Sequence, residues 1–256
     1  MTEGAGFITF VDALGLPPGA RVDARVPKKL LIEQGAPTAA DKRAIQDGID
    51  ELQWFAACKP STIGVPVFSN DTREYLEIAI IACAFRPGAK GARLIELIHR
   101  AVPYPVLLIT ADESGFAVSA AHKRHAQNEA GRTVVEQAFT ASGLRADALD
   151  SAQVAFQKSL ALAQQPRTDL FALYAGWIAR IEAVNAARLT GAFSATDDQG
   201  AIDRRREALD AHARLTKEIE GLRAKAKREK QLSRRVDLNL EIQRREADLA
   251  AYANQL

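Results

Sequence analysis

Two hydrophobic periods alternate through the first 145 residues, and together they predict a mixture of helices and strands. Residues 89–101 place Leu94, Leu97 and Ile98 at helical spacing, which predicts a helix with one buried face. Residues 74–85 form a long apolar, β-branched run, which predicts a strand in the centre of a sheet. A further helix is predicted at 5–14 and further strands at 106–109, 116–121 and 133–139, with a hairpin turn at 112–115.

The segment between residues 22 and 68 has less regular signals. Residues 22–33 are predicted to be a strand, because Leu30-Leu31-Ile32 forms an apolar centre. Thr38 is a predicted helix N-cap, and apolar residues recur at helical spacing as far as Ala56, so the sequence predicts one helix that ends before Pro60. Residues 62–68 are predicted to be an edge strand, since Pro66 cannot donate to a central ladder.

Strand signals end after Gly143, and the remainder of the chain is predicted to be helical. From Ile202 onward there is no proline, and apolar residues repeat at coiled-coil spacing. One seam is Leu215, Ile219, Leu222 and Ala226, and the other is Leu238, Ile242, Leu249 and Leu256. The nearly all-polar residues 227–235 separate the seams, which favours a helical hairpin over one long helix. Pairing within the chain and pairing with a partner both remain open.

These patterns predict an α/β protein of the α+β-like kind, with helices packed on a mixed β-sheet and a long coiled-coil-like C-terminal arm. The predicted domains are residues 1–145, the mixed α/β domain, and residues 146–256, the helical region. The arm itself is expected at about 201–256.

Composition favours a soluble protein of a reducing compartment. The net charge is +2, from 34 basic and 32 acidic residues, which does not suggest a strongly basic nucleic-acid coat. The two cysteines, Cys58 and Cys83, do not form the set of pairs typical of a secreted scaffold. No secretory leader and no membrane span are visible, so we expect a cytoplasmic protein.

No catalytic signature is present, and no catalytic residue, metal or cofactor is expected. Phosphate-binding loops, dinucleotide fingerprints and nucleophile elbows are missing. His122 and His125 flank two cations, which would repel a metal, so a solvated strand end is expected there. One alternative is a divergent Mg²⁺-dependent nuclease, in which carboxylates converge with a lysine, either Lys28 or Lys123. Its carboxylates would be drawn from Asp71, Glu74 and Glu77.

Basic residues are concentrated in the arm. The cluster consists of Lys225, Lys227, Arg228, Lys230, Arg234 and Arg235, with Glu229 opposing it. On a helix these side chains would contact phosphates and bind nucleic acid in a salt-dependent manner. A solvated helix face is the other interpretation. A weaker candidate patch consists of Lys28, Lys29, Lys42 and Arg43.

Several stretches resemble a bacterial domain-of-unknown-function family whose genes lie beside helicase and DNA-methyltransferase genes in restriction-like phage-defence clusters. The resembling stretches are residues 26–29 (VPKK), 40–43 (ADKR), 75–78 (YLEI), 101–107 (AVPYPVL) and 229–239 (EKQLSRRVDLN). The resemblance implies a non-enzymatic accessory or adaptor subunit, with a helicase or DNA methyltransferase as partner and DNA as a second candidate partner. The third alternative is a structural protein that oligomerises through its arm.

Overall fold

The computed structural model describes residues 3–127, 133–145, 150–253 and 256. Contacts divide the chain into two compact units, Met1–Ile181 and Glu182–Leu256. The predicted fold class is confirmed: a mixed sheet with packed helices is followed by long C-terminal helices. Whether the chain folds as separate domains on either side of residue 145 stays a prediction.

The first unit is built on a six-stranded sheet. Its strands are numbered in chain order: β1 (Arg21–Arg25), β2 (Ile49–Cys58), β3 (Phe68–Ser69), β4 (Glu74–Tyr75), β5 (Ile78–Phe85), β6 (Val106–Asp112), β7 (Gly115–His125) and β8 (Thr133–Leu144). The main sheet has the order β1-β2-β5-β6-β7-β8, and β3 pairs with β4 separately. Strands β5 and β6 are parallel, and the other neighbours are antiparallel.

The helices of this part of the chain are α1 (Glu3–Ala13), α2 (Lys28–Gly35), α3 (Ala39–Gly48), α4 (Pro60–Ile63), α5 (Gly91–Ala101), α6 (Ser151–Ser159) and α7 (Leu170–Thr190), which runs into the second unit. One hydrophobic cluster joins residues of α2, α3 and α5, among them Leu31, Ile45 and Leu94, to β5 residues such as Ile81. Every residue of β5 is buried. The predicted central position of this strand is therefore confirmed.

Several local predictions are confirmed as well. The hydroxyl oxygen of Thr38 accepts a hydrogen bond from the backbone N–H of Asp41 at 3.1 Å and caps α3. The hairpin forms between β6 and β7, where Asp112 pairs with Gly115. Cys83 is a buried free thiol within β5.

The predicted strand at 22–33 is wrong in its second half, which is α2. Pro27 is the N-cap of α2, and its ring cannot donate the hydrogen bond that would continue β1. The helix divides the apolar run between two faces, so that Leu31 is buried while Leu30 is half exposed. A short apolar run does not distinguish a strand from a buried helix.

The predicted helix from Thr38 to Pro60 is also wrong beyond Gly48. Glycine is a poor helix former, and the chain changes there to β2. Strand β2 forms ladders with both β1 and β5, and these long-range backbone bonds override the helical spacing of Ile49 and Leu52.

The segments at 62–68 and 74–85 are each divided. Residues 60–63 form the single turn of α4, which Gly64 ends in a left-handed conformation with φ of 67°, and β3 begins only at Phe68. The long strand predicted at 74–85 is β4 followed by β5.

The second unit contains the end of α7 and two long helices, α8 (Gln199–Arg228) and α9 (Leu232–Ala253). Asp198 caps α8 by accepting a hydrogen bond from the backbone N–H of Ala201 at 2.8 Å. Within the described residues, no helix is long and apolar enough to cross a lipid bilayer.

Candidate functional site

The turn between α8 and α9 forms without glycine or proline. Glu229 follows α8 with extended backbone, and its N–H donates to the carbonyl oxygen of Lys225. Its carboxylate accepts from the backbone N–H of Gln231 at 2.8 Å. One acidic residue therefore stabilises both the end of α8 and the reversal of the chain.

The two predicted seams pack against each other within the chain. Ile219 and Ala226 of α8 form a buried cluster with Ile242 of α9, and Leu222, Leu238 and Leu249 pack around it. An ion pair between Arg223 and Glu246, at 2.6 Å, also joins the two helices. The hairpin predicted from residues 227–235 is therefore what the second unit contains.

This hairpin gathers the predicted basic cluster at its tip. Lys225, Lys227 and Arg228 lie in the last turn of α8, and Arg234 and Arg235 lie near the start of α9. All six side chains, including that of Lys230 in the turn, are exposed. We call Lys225, Lys227, Arg228, Lys230, Arg234 and Arg235 the basic tip.

Acidic residues lie near the basic tip without neutralising it. Glu229, Asp237 and Glu241 line a shallow cleft of about 590 Å³ together with Lys225, Arg228 and Arg234. Across the described ranges, none of the six cations has a carboxylate oxygen within 4.0 Å. The cations at the end of α8 complement its dipole, whereas Arg234 and Arg235 are near the positive end of α9. A bound anion would relieve the repulsion there.

The weaker basic patch is largely occupied by internal contacts. The ammonium group of Lys28 donates to the backbone carbonyls of Gln46 and Ile49, and burial lowers its pKa. Lys29 pairs with Glu33 at 3.7 Å. Lys42 and Arg43 are exposed on α3. Lys28 therefore holds α2 against the junction of α3 and β2.

Glu77 and Lys123, two residues named for the nuclease alternative, each have another partner. Glu77 is buried and pairs with Lys59 at 2.9 Å. Lys123 donates to the backbone carbonyl of Val102 instead. Among the described residues, no group of three or more histidine, cysteine, aspartate or glutamate side chains could hold a metal ion.

His122 does not lie at a solvated strand end, contrary to the expectation. Its imidazole Nδ1 is 2.9 Å from the hydroxyl oxygen of Tyr75, and its ring packs near Phe139, Phe171 and Tyr174. Helix α7 covers this face of the sheet with aromatic side chains, and the local sequence of β7 carries no sign of that.

A groove of about 1260 Å³ in the first unit was not predicted from the sequence. Ala79 and Ile81 of β5 contribute to it, and Trp54, Leu30 and Tyr104 add large apolar surfaces. The segments that build it are far apart in the sequence, so their polar and apolar patterns do not reveal it. The partial exposure of Leu30 and Tyr104 is its only local sign.

The acidic side chains that line this groove have partners, whereas two of its basic side chains do not pair with a carboxylate among the described residues. The carboxylate of Glu96 is paired with Arg93 at 2.6 Å, and that of Glu33 with Lys29. Arg25 and Arg100 also line the groove, and neither forms an ion pair with a carboxylate in the part of the chain that the structure describes. The groove therefore presents apolar surface beside two uncompensated guanidinium groups.

A small buried polar cluster lies under α5. His99 is fully buried, and its Nε2 is 3.0 Å from the hydroxyl oxygen of Ser119. Burial lowers the pKa of His99 to about 3 and that of Lys123 to about 7. His99 is therefore neutral at pH 7, Lys123 loses its proton far more readily than an exposed lysine, and neither has a carboxylate partner among the described residues.

Comparison with known proteins places the chain in one family. No curated protein and no solved structure shows significant similarity to it. Residues 14–249 match a family described as "Domain of unknown function (DUF4391)". Since the match covers most of the first unit and nearly all of the helical hairpin, the chain belongs to the DUF4391 family.

Proposed function

We propose that this protein is a non-enzymatic, cytoplasmic accessory subunit of a DNA-modifying, restriction-like or phage-defence system, and that the basic tip contacts DNA. The observation that carries the proposal is the collection of six exposed cations at one end of a helical hairpin, none of which forms an ion pair with a carboxylate among the described residues. On a solvated helix face, basic side chains commonly pair with acidic side chains three or four residues away, as Arg214 and Glu218 of α8 do.

The expected contact is with phosphates and has no sequence preference. A hairpin tip that offers mobile lysine and arginine side chains neutralises backbone charge and releases counterions. Proteins that recognise a DNA sequence usually place a helix in the major groove, where amide and guanidinium groups bind the edges of the bases. The cations of the tip are instead spread over a turn and two helix ends, so we do not expect the tip to distinguish one base from another.

The test measures binding of a fluorescent duplex of random sequence as salt is raised. In the tip variant all six cations are changed to Gln, which preserves helix propensity. We expect weaker binding to every duplex and a plot of log affinity against log salt that flattens by about 0.9 per lost contact. A control variant changes five exposed cations elsewhere to Gln: Lys90, Lys158, Arg204, Arg214 and Lys217.

The two variants separate a local contact from a general charge effect. Binding by the tip variant equal to that of the wild type would overturn the DNA proposal. An equal loss in the control variant would also overturn it, because the effect would then follow net charge and not the tip.

The groove of the first unit is our candidate for docking a protein partner, a helicase or DNA methyltransferase subunit. Its volume exceeds the roughly 300–1,000 Å³ of ordinary small-molecule sites, and exposed apolar side chains at its rim are typical of interface anchors. Arg25 and Arg100 favour an acidic segment of the partner.

Co-expression with the products of neighbouring genes tests this second contact. We expect a complex that survives the six changes in the basic tip but is weakened at least tenfold by Leu30→Ser with Arg100→Gln. Ile8→Ser is the control, because Ile8 is exposed on α1 and does not line the groove. Failure to recover any such complex contradicts the adaptor role.

A further inference from the structure

Helix α9 has an apolar stripe that the hairpin does not use. Leu232, Val236 and Leu240 are 65%, 49% and 49% exposed and recur every fourth residue. The same stripe continues through the exposed residues Ala247 and Ala250. The seam residue Ile242 faces α8. At 100° per residue, the centre of the stripe lies about 140° around α9 from the seam of Leu238, Ile242 and Leu249, so the stripe faces away from α8.

Residue size along this stripe is self-complementary. Its first half carries large side chains and its second half alanines, so two copies fit when they run antiparallel. A two-fold axis that passes beside α9, on the stripe's side and at the level between Glu241 and Ile242, places Val236 against Ala247 of a second copy, and Leu240 against Gln243. A parallel pair would leave the alanines facing each other across a gap.

Charges beside the stripe support the same register. Asp237 and Arg244 are exposed and flank it on one side, and neither has an ion pair in the described parts of the chain. They are seven residues apart, too far to pair with each other along one helix. The antiparallel register that matches the large and small residues also brings Asp237 of one copy beside Arg244 of the other, twice by symmetry. In a parallel pair the Asp237 and Arg244 side chains of the two copies would lie on opposite sides of the contact and would not meet.

We propose that α9 pairs with α9 of a second copy of this chain in an antiparallel homodimer. A second copy is the occupant because both the size pattern and the charge pattern are complementary to themselves. The seams of the hairpin are already satisfied within the chain, so this contact is separate from the coiled coil that the seams form. It is also independent of DNA binding by the basic tip.

Sedimentation velocity of the full chain over a concentration series tests the dimer. We expect a dimer in the wild type and a monomer, with unchanged helical circular dichroism, in the variant Val236→Glu with Leu240→Glu. Leu189→Glu is the matched control, since Leu189 is exposed in the same unit but lies on α7, away from the stripe. A wild type that stays monomeric at the highest concentration overturns the proposal.

A charge exchange and a cross-link test the register. Asp237→Arg or Arg244→Asp alone should weaken the dimer at least threefold, and the two changes together should restore it. Val236→Cys with Ala247→Cys should form an intermolecular disulfide on oxidation, since both native cysteines are buried. Cross-linking by Val236→Cys alone would indicate a parallel dimer, and it would overturn the antiparallel arrangement.

Discussion

The hydroxyl group of Tyr174 donates a hydrogen bond to the backbone carbonyl of Val106 at 2.7 Å. The same oxygen accepts from the backbone N–H of Ala121 at 2.8 Å. Val106 and Ala121 lie two residues beyond the last paired residues of β6 and β7, Leu108 and Ser119. A side chain from α7 thus replaces the backbone bond where these strands separate.

Changing Tyr174 to Phe should destabilise the first unit by about 2–4 kcal/mol, because a buried N–H and a buried carbonyl both lose a partner. Urea denaturation followed by tryptophan fluorescence measures this unit, since Trp54 and Trp177 both belong to it. Tyr104→Phe is the control and should cost little, because the Tyr104 side chain is exposed. Equal effects of the two changes would contradict the bridging role of Tyr174.

Two glycines in helices should respond to alanine in opposite directions. A Cβ at Gly35 would lie 2.6 Å from the Cβ of Ala101 and 2.8 Å from the carbonyl oxygen of Leu97, so Gly35→Ala forces α2 away from α5 and should cost about 1–3 kcal/mol. A Cβ at Gly221 meets no described atom within 4 Å. Gly221→Ala should therefore stabilise α8 by up to ~1 kcal/mol.

Thermal unfolding followed by far-ultraviolet circular dichroism measures the effect of Gly221→Ala. Tryptophan fluorescence measures the effect of Gly35→Ala. A stabilising Gly35→Ala would show that α2 and α5 do not pack as closely as this structure indicates.

His99 should make the first unit sensitive to acid. Burial holds the pKa of His99 at about 3, far below the value of about 6.5 in an unfolded chain, and Lys123 adds to this shift. Between these two pH values the unfolded chain takes up a proton that the native state does not. Stability should therefore fall as the pH drops from 6.5, with a slope of up to ~1.4 kcal/mol per pH unit.

The urea midpoint measured by tryptophan fluorescence from pH 7 to pH 4 checks this slope. In the variant His99→Leu with Ser119→Ala, which removes the imidazole and its partner together, the slope should be shallower. If the dependence of stability on pH were the same in this variant as in the wild type, groups other than His99 would cause the loss of stability in acid.

The ion pair between Arg206 and Glu182 should matter more than that between Arg223 and Glu246. Arg206 donates to both carboxylate oxygens of Glu182, at 2.7 and 2.9 Å. Burial raises the pKa of Glu182 although Arg206 opposes that shift. Arg206→Gln leaves the carboxylate buried and should cost on the order of 2–3 kcal/mol, less than for a fully enclosed pair because Arg206 is 29% exposed.

The loss caused by Arg206→Gln should grow as the pH rises, since a carboxyl with a raised pKa is tolerated best in its protonated form. Arg223→Gln breaks an exposed pair and should cost less than about 1 kcal/mol. Unfolding followed by circular dichroism measures the loss of stability in the Arg206→Gln and Arg223→Gln variants. Similar losses would show that burial of the ion pair does not determine how much it contributes to stability.

The sequence alone determined the elements whose local pattern and long-range packing agree. Helix α5 has an apolar face with the spacing of Leu94 and Ile98, and β5 is apolar throughout, so each was predicted close to its observed position. The reversal near residues 227–235 was predicted as well, because the seams on either side need each other for burial. The residues of the basic tip were identified from their density in the sequence, and the hairpin explains why they meet.

Tertiary structure decided the rest, because burial and hydrogen bonding between distant segments outweigh local propensity. Ile49 and Leu52 have helical spacing, yet ladders on both sides make their segment the strand β2. Lys123 lies in a run of cations that favours solvent, yet the fold buries it and supplies the carbonyl of Val102. The groove beside Trp54 and Tyr104 likewise exists only where separate elements meet, since no single segment contains the surfaces that enclose it.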